Sequence, residues 1–198
     1  HLQAHKSLEG AIFHGANLDG ISLAGADARG ALFQNVLLKG ADFSRSNLTG
    51  AAFIDMHAPD ARWAFADLTD ALIENTDLSR GNFSDARLDD AHLIGATAPG
   101  ARFERARCHS TTIRVGRLEN SDWSHADLED ASMFDARLDG ARFRSARIVR
   151  TSFAKASLAG ADFSGALCSD VEAEKADFAA ALLAGSRWQG TNLTGTNL

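Results

Sequence analysis

Tyrosine is absent from the 198-residue chain, and proline, cysteine and methionine occur twice each. No apolar run approaches the roughly 20 residues that span a bilayer, which excludes an integral membrane helix. No G-x-S-x-G elbow and no phosphate-binding glycine loop is present, so the common nucleophile and nucleotide signatures are missing. What is present is biased: 17 Gly, 12 Phe and recurring words such as ADL, ADF and ARF, in a chain of 45% hydrophobic and 23% charged residues with net charge −6. Such bias points to an internal repeat.

The repeat has period five. With numbers ending in 3 or 8 taken as the centre, the register runs unbroken from Leu8 to Leu198, and 33 of these 39 centres are Leu, Phe, Trp, Ile or Met. Two residues earlier, 24 of 39 positions are Ala. Fifteen of the 17 Gly fall at numbers ending in 0 or 5, and Asp, Asn or Arg dominate numbers ending in 2 or 7.

Five matches neither the period of a helix nor that of a strand. A chain that turns once per repeat reconciles it: the small and central residues point inward, their neighbours outward, and a Gly-tolerant corner restores parity. Four such corners close a square of 20 residues. At that spacing Phe43, Trp63, Phe83, Phe103, Trp123, Phe143 and Phe163 form one column of core aromatics, while the column five residues on has none. Stacked coils make these residues neighbours and fill a narrow interior without polar atoms, which also gives tyrosine no place for its hydroxyl.

The words GANLDG (15–20), GADFSRSNLTGAAF (40–53), FADLTDAL (65–72) and GADFSGAL (160–167) resemble the pentapeptide-repeat proteins, and the resemblance covers nearly the whole chain. It implies an all-β, right-handed quadrilateral β-helix with four repeats per coil. About ten coils at roughly 4.8 Å would make a rod about 45 to 50 Å long. The expectation is one domain over residues 1–198, which the lack of capping segments marks as part of a longer chain or as lacking its caps.

Site chemistry is sparse. Cys108 and Cys168 lie three coils apart in one column, about 14 Å and beyond disulfide reach, and read as core fillers. The seven His sit at terminal or outward positions without ligand spacing, so neither metal nor cofactor is expected. Catalysis favours loops displayed by a scaffold, and no loop interrupts this register; the chain reads as a non-enzyme.

Function must then lie in surfaces. Three faces read as polar. The fourth carries outward Ile12, Leu32, Ile54, Leu72, Ile94 and Phe134, a candidate stripe for docking a protein partner, a second copy or a missing segment. Arg87, Arg107, Asp127 and Arg147, and Arg62, Asn82, Arg102, Asp122 and Arg142, form columns in which opposite charges meet about 5 Å apart; they read as surface support rather than direct nucleic-acid contacts.

Some relatives imply a second reading, a DNA mimic that binds DNA gyrase or topoisomerase IV and protects them from quinolones or toxins. Duplex DNA of this length would carry about 28 negative charges, far more than this chain. No secretion signal is visible, which favours the bacterial cytoplasm. Ala58-Pro59 and Ala98-Pro99 are expected to distort one face, because proline gives the ladder no donor. Phe65, at a corner, is expected to be exposed.

Overall fold

The computed structural model describes residues 7–198; His1 and His5 lie outside them. Among the described residues nine strands of three residues form two parallel sheets. β1 (Ile12–His14), β2 (Leu32–Gln34), β3 (Ala52–Ile54), β4 (Leu72–Glu74), β5 (His92–Ile94) and β6 (Thr112–Arg114) pair in that order. β7 (Arg147–Val149), β8 (Leu167–Ser169) and β9 (Arg187–Gln189) pair on the neighbouring side. Registers advance by 20 residues throughout, and single bridges such as Asp42↔Arg62 and Asn47↔Asp67 extend that register around the other sides. The chain is a β-solenoid of nine full turns and part of a tenth. Among the described residues no helix is long and apolar enough to cross a membrane.

Corner chemistry explains the five-residue unit. Every fifth residue from Gly10 to Gly195 has positive φ, between 50° and 70°. Glycine meets no steric cost there, and Asn and Asp tolerate the left-handed region better than other side chains. Val115 (φ 54°) and Phe65 (φ 61°) occupy the same position against their preference.

Inside the square, the small and central positions are buried and mostly Ala, Leu, Phe or Trp. The expected aromatic column is continuous: Phe43 stacks on Trp63 at 4.4 Å, and Phe83, Phe103, Trp123, Phe143 and Phe163 follow at 4.0 to 6.2 Å with rings within 11° of parallel. Each such pair adds about 0.5 to 1.5 kcal/mol beyond area burial. A second column, Phe13, Phe33 and Phe53, stacks beside it and meets it edge to face. The two glycines outside the corners belong to packing as well: a Cβ on Gly116 would lie 2.9 Å from both Ile113 and Leu118, and one on Gly81 would lie 3.0 Å from Phe83.

The expectation of a distortion at the prolines fails. Ala58 and Ala98 are fully buried and donate ladder bonds of 2.8 and 2.7 Å to Asp77 and Arg117. The Pro59 and Pro99 carbonyls accept from Gly40 and Arg80 at 2.9 and 3.0 Å. The physical reason lies in which amide is idle. At numbers ending in 4 or 9, outside the strands, the N–H donates no ladder bond, and some such amides turn to a nearby side chain instead, as Ser44 does to Asp42 (3.0 Å) and Ser79 to Asp77 (2.9 Å). Both prolines occupy this position, so the ladder loses no bond.

Candidate interaction surfaces

The stripe residues fall on the outer surface of β1–β6 and the coil beyond, in two parallel ladders. One runs Ile12, Leu32, Ala52, Leu72 and then His92 and Thr112. The other runs His14, Gln34, Ile54, Glu74, Ile94 and Arg114. Phe134 follows one coil further, its carbonyl accepting the Val115 N–H at 3.4 Å and its ring facing Lys155 Nζ at 5.1 Å. Ile12 is 73% and Ile94 39% exposed; Leu32, Ile54, Leu72 and Phe134 are half-buried. The stripe is therefore apolar along the first ladder as far as Leu72, while the second ladder is apolar only at Ile54, Ile94 and Phe134, between His14, Gln34, Glu74 and Arg114.

Apolar exposure is not confined to that face. Leu37, Leu167 and Leu182 are exposed on the other three sides. Leu167 lines a shallow cavity of about 200 Å³ with Val149, Cys168, Arg147 and Arg187 on the β7–β9 surface. Residue type gives no clean marker of the strand-bearing sides: Val36, Met56, Thr76, Thr151 and Val171 at the small position come two residues after strands, but so do Ala16, Ala96 and Gly116, while the bulky Ile21 and Thr111 follow turns. Phe65 is 53% exposed, with the Arg45 guanidinium 4.9 Å above its ring.

The charged columns close into ion pairs between coils. Arg62 reaches Asp42 (3.2 Å), Arg142 Asp122 (3.7 Å) and Arg147 Asp127 (2.9 Å). Corner arginines add Arg80–Asp60, Arg105–Asp85 and Arg150–Asp130. The hydrogen bond from Arg105 holds the Asp85 carboxyl below the usual carboxylate range, and that from Arg80 does the same for Asp60. Asp89 is buried and accepts from Arg107 at 3.1 Å and from the His109 amide at 3.2 Å.

The stacking also brings together histidine and acids that lie 18 to 20 residues apart in sequence. His109, Asp127 and Glu129 place potential ligand atoms within 4.8 Å of one another. Arg147 sits against both carboxylates, 2.9 Å from Asp127 and 2.6 Å from Glu129, and Arg150 also reaches Glu129. This donor set carries its own counter-charge and works as an ion-pair network. Both cysteines are free, and burial pushes their thiols up, that of Cys168 to about 12, far from the thiolate a metal or nucleophile requires.

Against known families, the chain matches "Pentapeptide repeats" in eight copies across residues 29–57, 46–85, 66–105, 117–148 and 174–198. Among solved structures it is similar to HetL, a pentapeptide repeat protein involved in heterocyst differentiation regulation from the cyanobacterium Nostoc sp. Strain PCC 7120. The identity is 30% over 97% of this chain and 89% of that one, with a TM-score of 0.80. It is similar also to full-length QnrB1, a plasmid-mediated fluoroquinolone resistance protein, at 20% identity over 92% of this chain and 93% of that one, with a TM-score of 0.60. A search of curated proteins returned no match.

Proposed function

The chain belongs to the pentapeptide-repeat family, and on that premise we propose that it is a non-catalytic docking post that receives a protein surface on the β1–β6 face. The observation that carries this reading is the outward run Ile12, Leu32 and Leu72 beside Ile54 and Ile94 on the parallel sheet β1–β6, with Phe134 one coil beyond it. Apolar side chains on a rigid flat surface gain most when another surface covers them. The rod needs no loop or moving part for this: its stacked core fixes each outward side chain in place.

The experiment is co-purification of a stable partner by tagged protein, with Leu32→Asp and Leu72→Asp as variants. Loss of that partner with both variants, at unchanged thermal stability, supports the reading; retention rejects it.

A DNA mimic directed at DNA gyrase or topoisomerase IV is the competing reading. The likeness to QnrB1 bears on the fold alone at 20% identity. Against it stands the clasping of middle-third carboxylates by arginine, which withdraws the negative charge a mimic must display. A supercoiling assay with purified gyrase, with and without a quinolone, decides it: no inhibition or protection at about micromolar protein removes the mimic.

A further inference from the structure

Most arginines of this protein are held by its own carboxylates. Of the sixteen, only Arg45, Arg114 and Arg187 lack a carboxylate at ion-pair distance among the described residues, and Arg45 faces Phe65. Arg114 stands on the docking face, between Ile94 and Phe134. Glu74 stands in the same ladder on the other side of Ile94, and its carboxylate has no ion pair or side-chain hydrogen bond among the described residues. Two unengaged charges of opposite sign thus flank Ile94 at equal distance, one coil to each side.

The ladder is self-complementary about that point. Read outward from Ile94, it pairs Glu74 with Arg114, Ile54 with Phe134, Gln34 with Ala154 and His14 with Glu174. We propose that the occupant of the β1–β6 face is a second copy of this chain, laid face to face and antiparallel about a two-fold axis that runs along β5. This rests on the docking reading above and names its partner.

In that arrangement Ile94 meets Ile94, Glu74 of each copy meets Arg114 of the other, and Ile54 meets Phe134. A two-fold contact repeats every interaction, so one Glu–Arg opposition yields two ion pairs. In the adjoining ladder His92 meets His92, Leu72 meets Thr112 and Leu32 meets Ser152. The corner ridge opposes Asp55 to Asp135 of the second copy; both are exposed at the rim, where water and salt screen them. Nine coils at about 4.8 Å, across a side about 10 Å wide, give a footprint of roughly 400 Å² per copy. That is small for a stable complex, so the dimer is weak and forms only at high protein concentration.

Sedimentation equilibrium of the full chain from about 5 µM to about 1 mM tests this. The unmodified protein is expected to shift from monomer to dimer across that range. Glu74→Arg and Arg114→Glu, taken singly, each oppose like charges twice and weaken the dimer by at least about tenfold, with unchanged melting temperature. The double variant E74R/R114E restores the opposition with signs exchanged and recovers the dimer to within about threefold. A chain that stays monomeric throughout overturns the second-copy proposal, while partner capture with Leu32→Asp and Leu72→Asp decides the docking reading separately. A dimer indifferent to both single reversals, or not recovered in the double variant, overturns the two-fold geometry.

Discussion

The flank that carries Asp89, Arg107, Asp127 and Arg147 and the face that carries Glu74 and Arg114 are built from one five-residue unit on one backbone, yet they treat charge oppositely. On the flank each arginine leans across to the next coil and meets a carboxylate, as Arg147 meets Asp127 at 2.9 Å. On the strand face Glu74 and Arg114 are two coils apart with Ile94 between them, too far to meet. Charge that closes within the chain supports the rod; charge that stays open is available to another molecule. The same contrast recurs inside. The indole N–H groups of Trp123 and Trp188 donate to Ser121 and Ser186 at 2.8 and 2.9 Å, whereas that of Trp63 is buried without an acceptor because residue 61 is Ala.

The largest expected effect breaks the flank. Asp89→Ala leaves the Arg107 guanidinium and the His109 amide without their shared acceptor, and thermal unfolding should register a loss of about 2 to 3 kcal/mol. Glu74→Ala, on the open face, should cost less than about 0.5 kcal/mol.

Acid separates the two regions next. Bonds from arginine hold the Asp60, Asp85 and Asp130 carboxyls below their ordinary values. For Asp162 and Asp127 burial pushes upward but is outweighed, by Ser164 and Arg144 and by His109 and Arg147 respectively. A carboxylate whose folded value is depressed adds stability above its unfolded value, near 3.9 for Asp, and loses it as pH falls through the folded value. Melting temperature should therefore hold above about pH 5 and drop below about pH 4, with hydrogen exchange rising first in the clasped coils between residues 80 and 150.

Two substitutions relieve stress and should stabilise. Val115→Gly removes a β-branched side chain from the left-handed corner at φ 54°, worth about 1 kcal/mol; Gly95 holds the same place one coil earlier. Ala61→Ser supplies Trp63 with the acceptor that Ser121 gives Trp123, worth about 0.5 to 1 kcal/mol. An unchanged melting temperature in either variant would refute its account.

The coil itself was legible because position and chemistry repeat together: corners select Gly, Asn and Asp, the small position selects Ala, and the aromatic spacing of 20 reports the turn length. The Arg–Asp columns followed from the same spacing. Other features depend on hydrogen bonding that residue type does not display. Pro59 and Pro99 read as faults until the amide they replace proves to be one the ladder leaves idle. His109 read as isolated because its acidic neighbours are adjacent only after stacking. The stripe was visible as composition, but the balance of Glu74 and Arg114 about Ile94 has meaning only on a flat face whose registers are known. The move of the strands from one side to the next between β6 and β7 leaves no consistent trace in residue type, since Gly116 follows β6 where Thr151 follows β7.

The most direct test of the claim that open charge on the strand face recruits a second copy is to mix the two reversed chains. Neither E74R nor R114E can oppose opposite charges with itself, but each complements the other on both sides of Ile94. Sedimentation of an equimolar mixture at about 200 µM should give a heterodimer at a concentration where each protein alone dimerises far less. A mixture that sediments as two independent monomers, beside an unmodified protein that dimerises, would contradict the account.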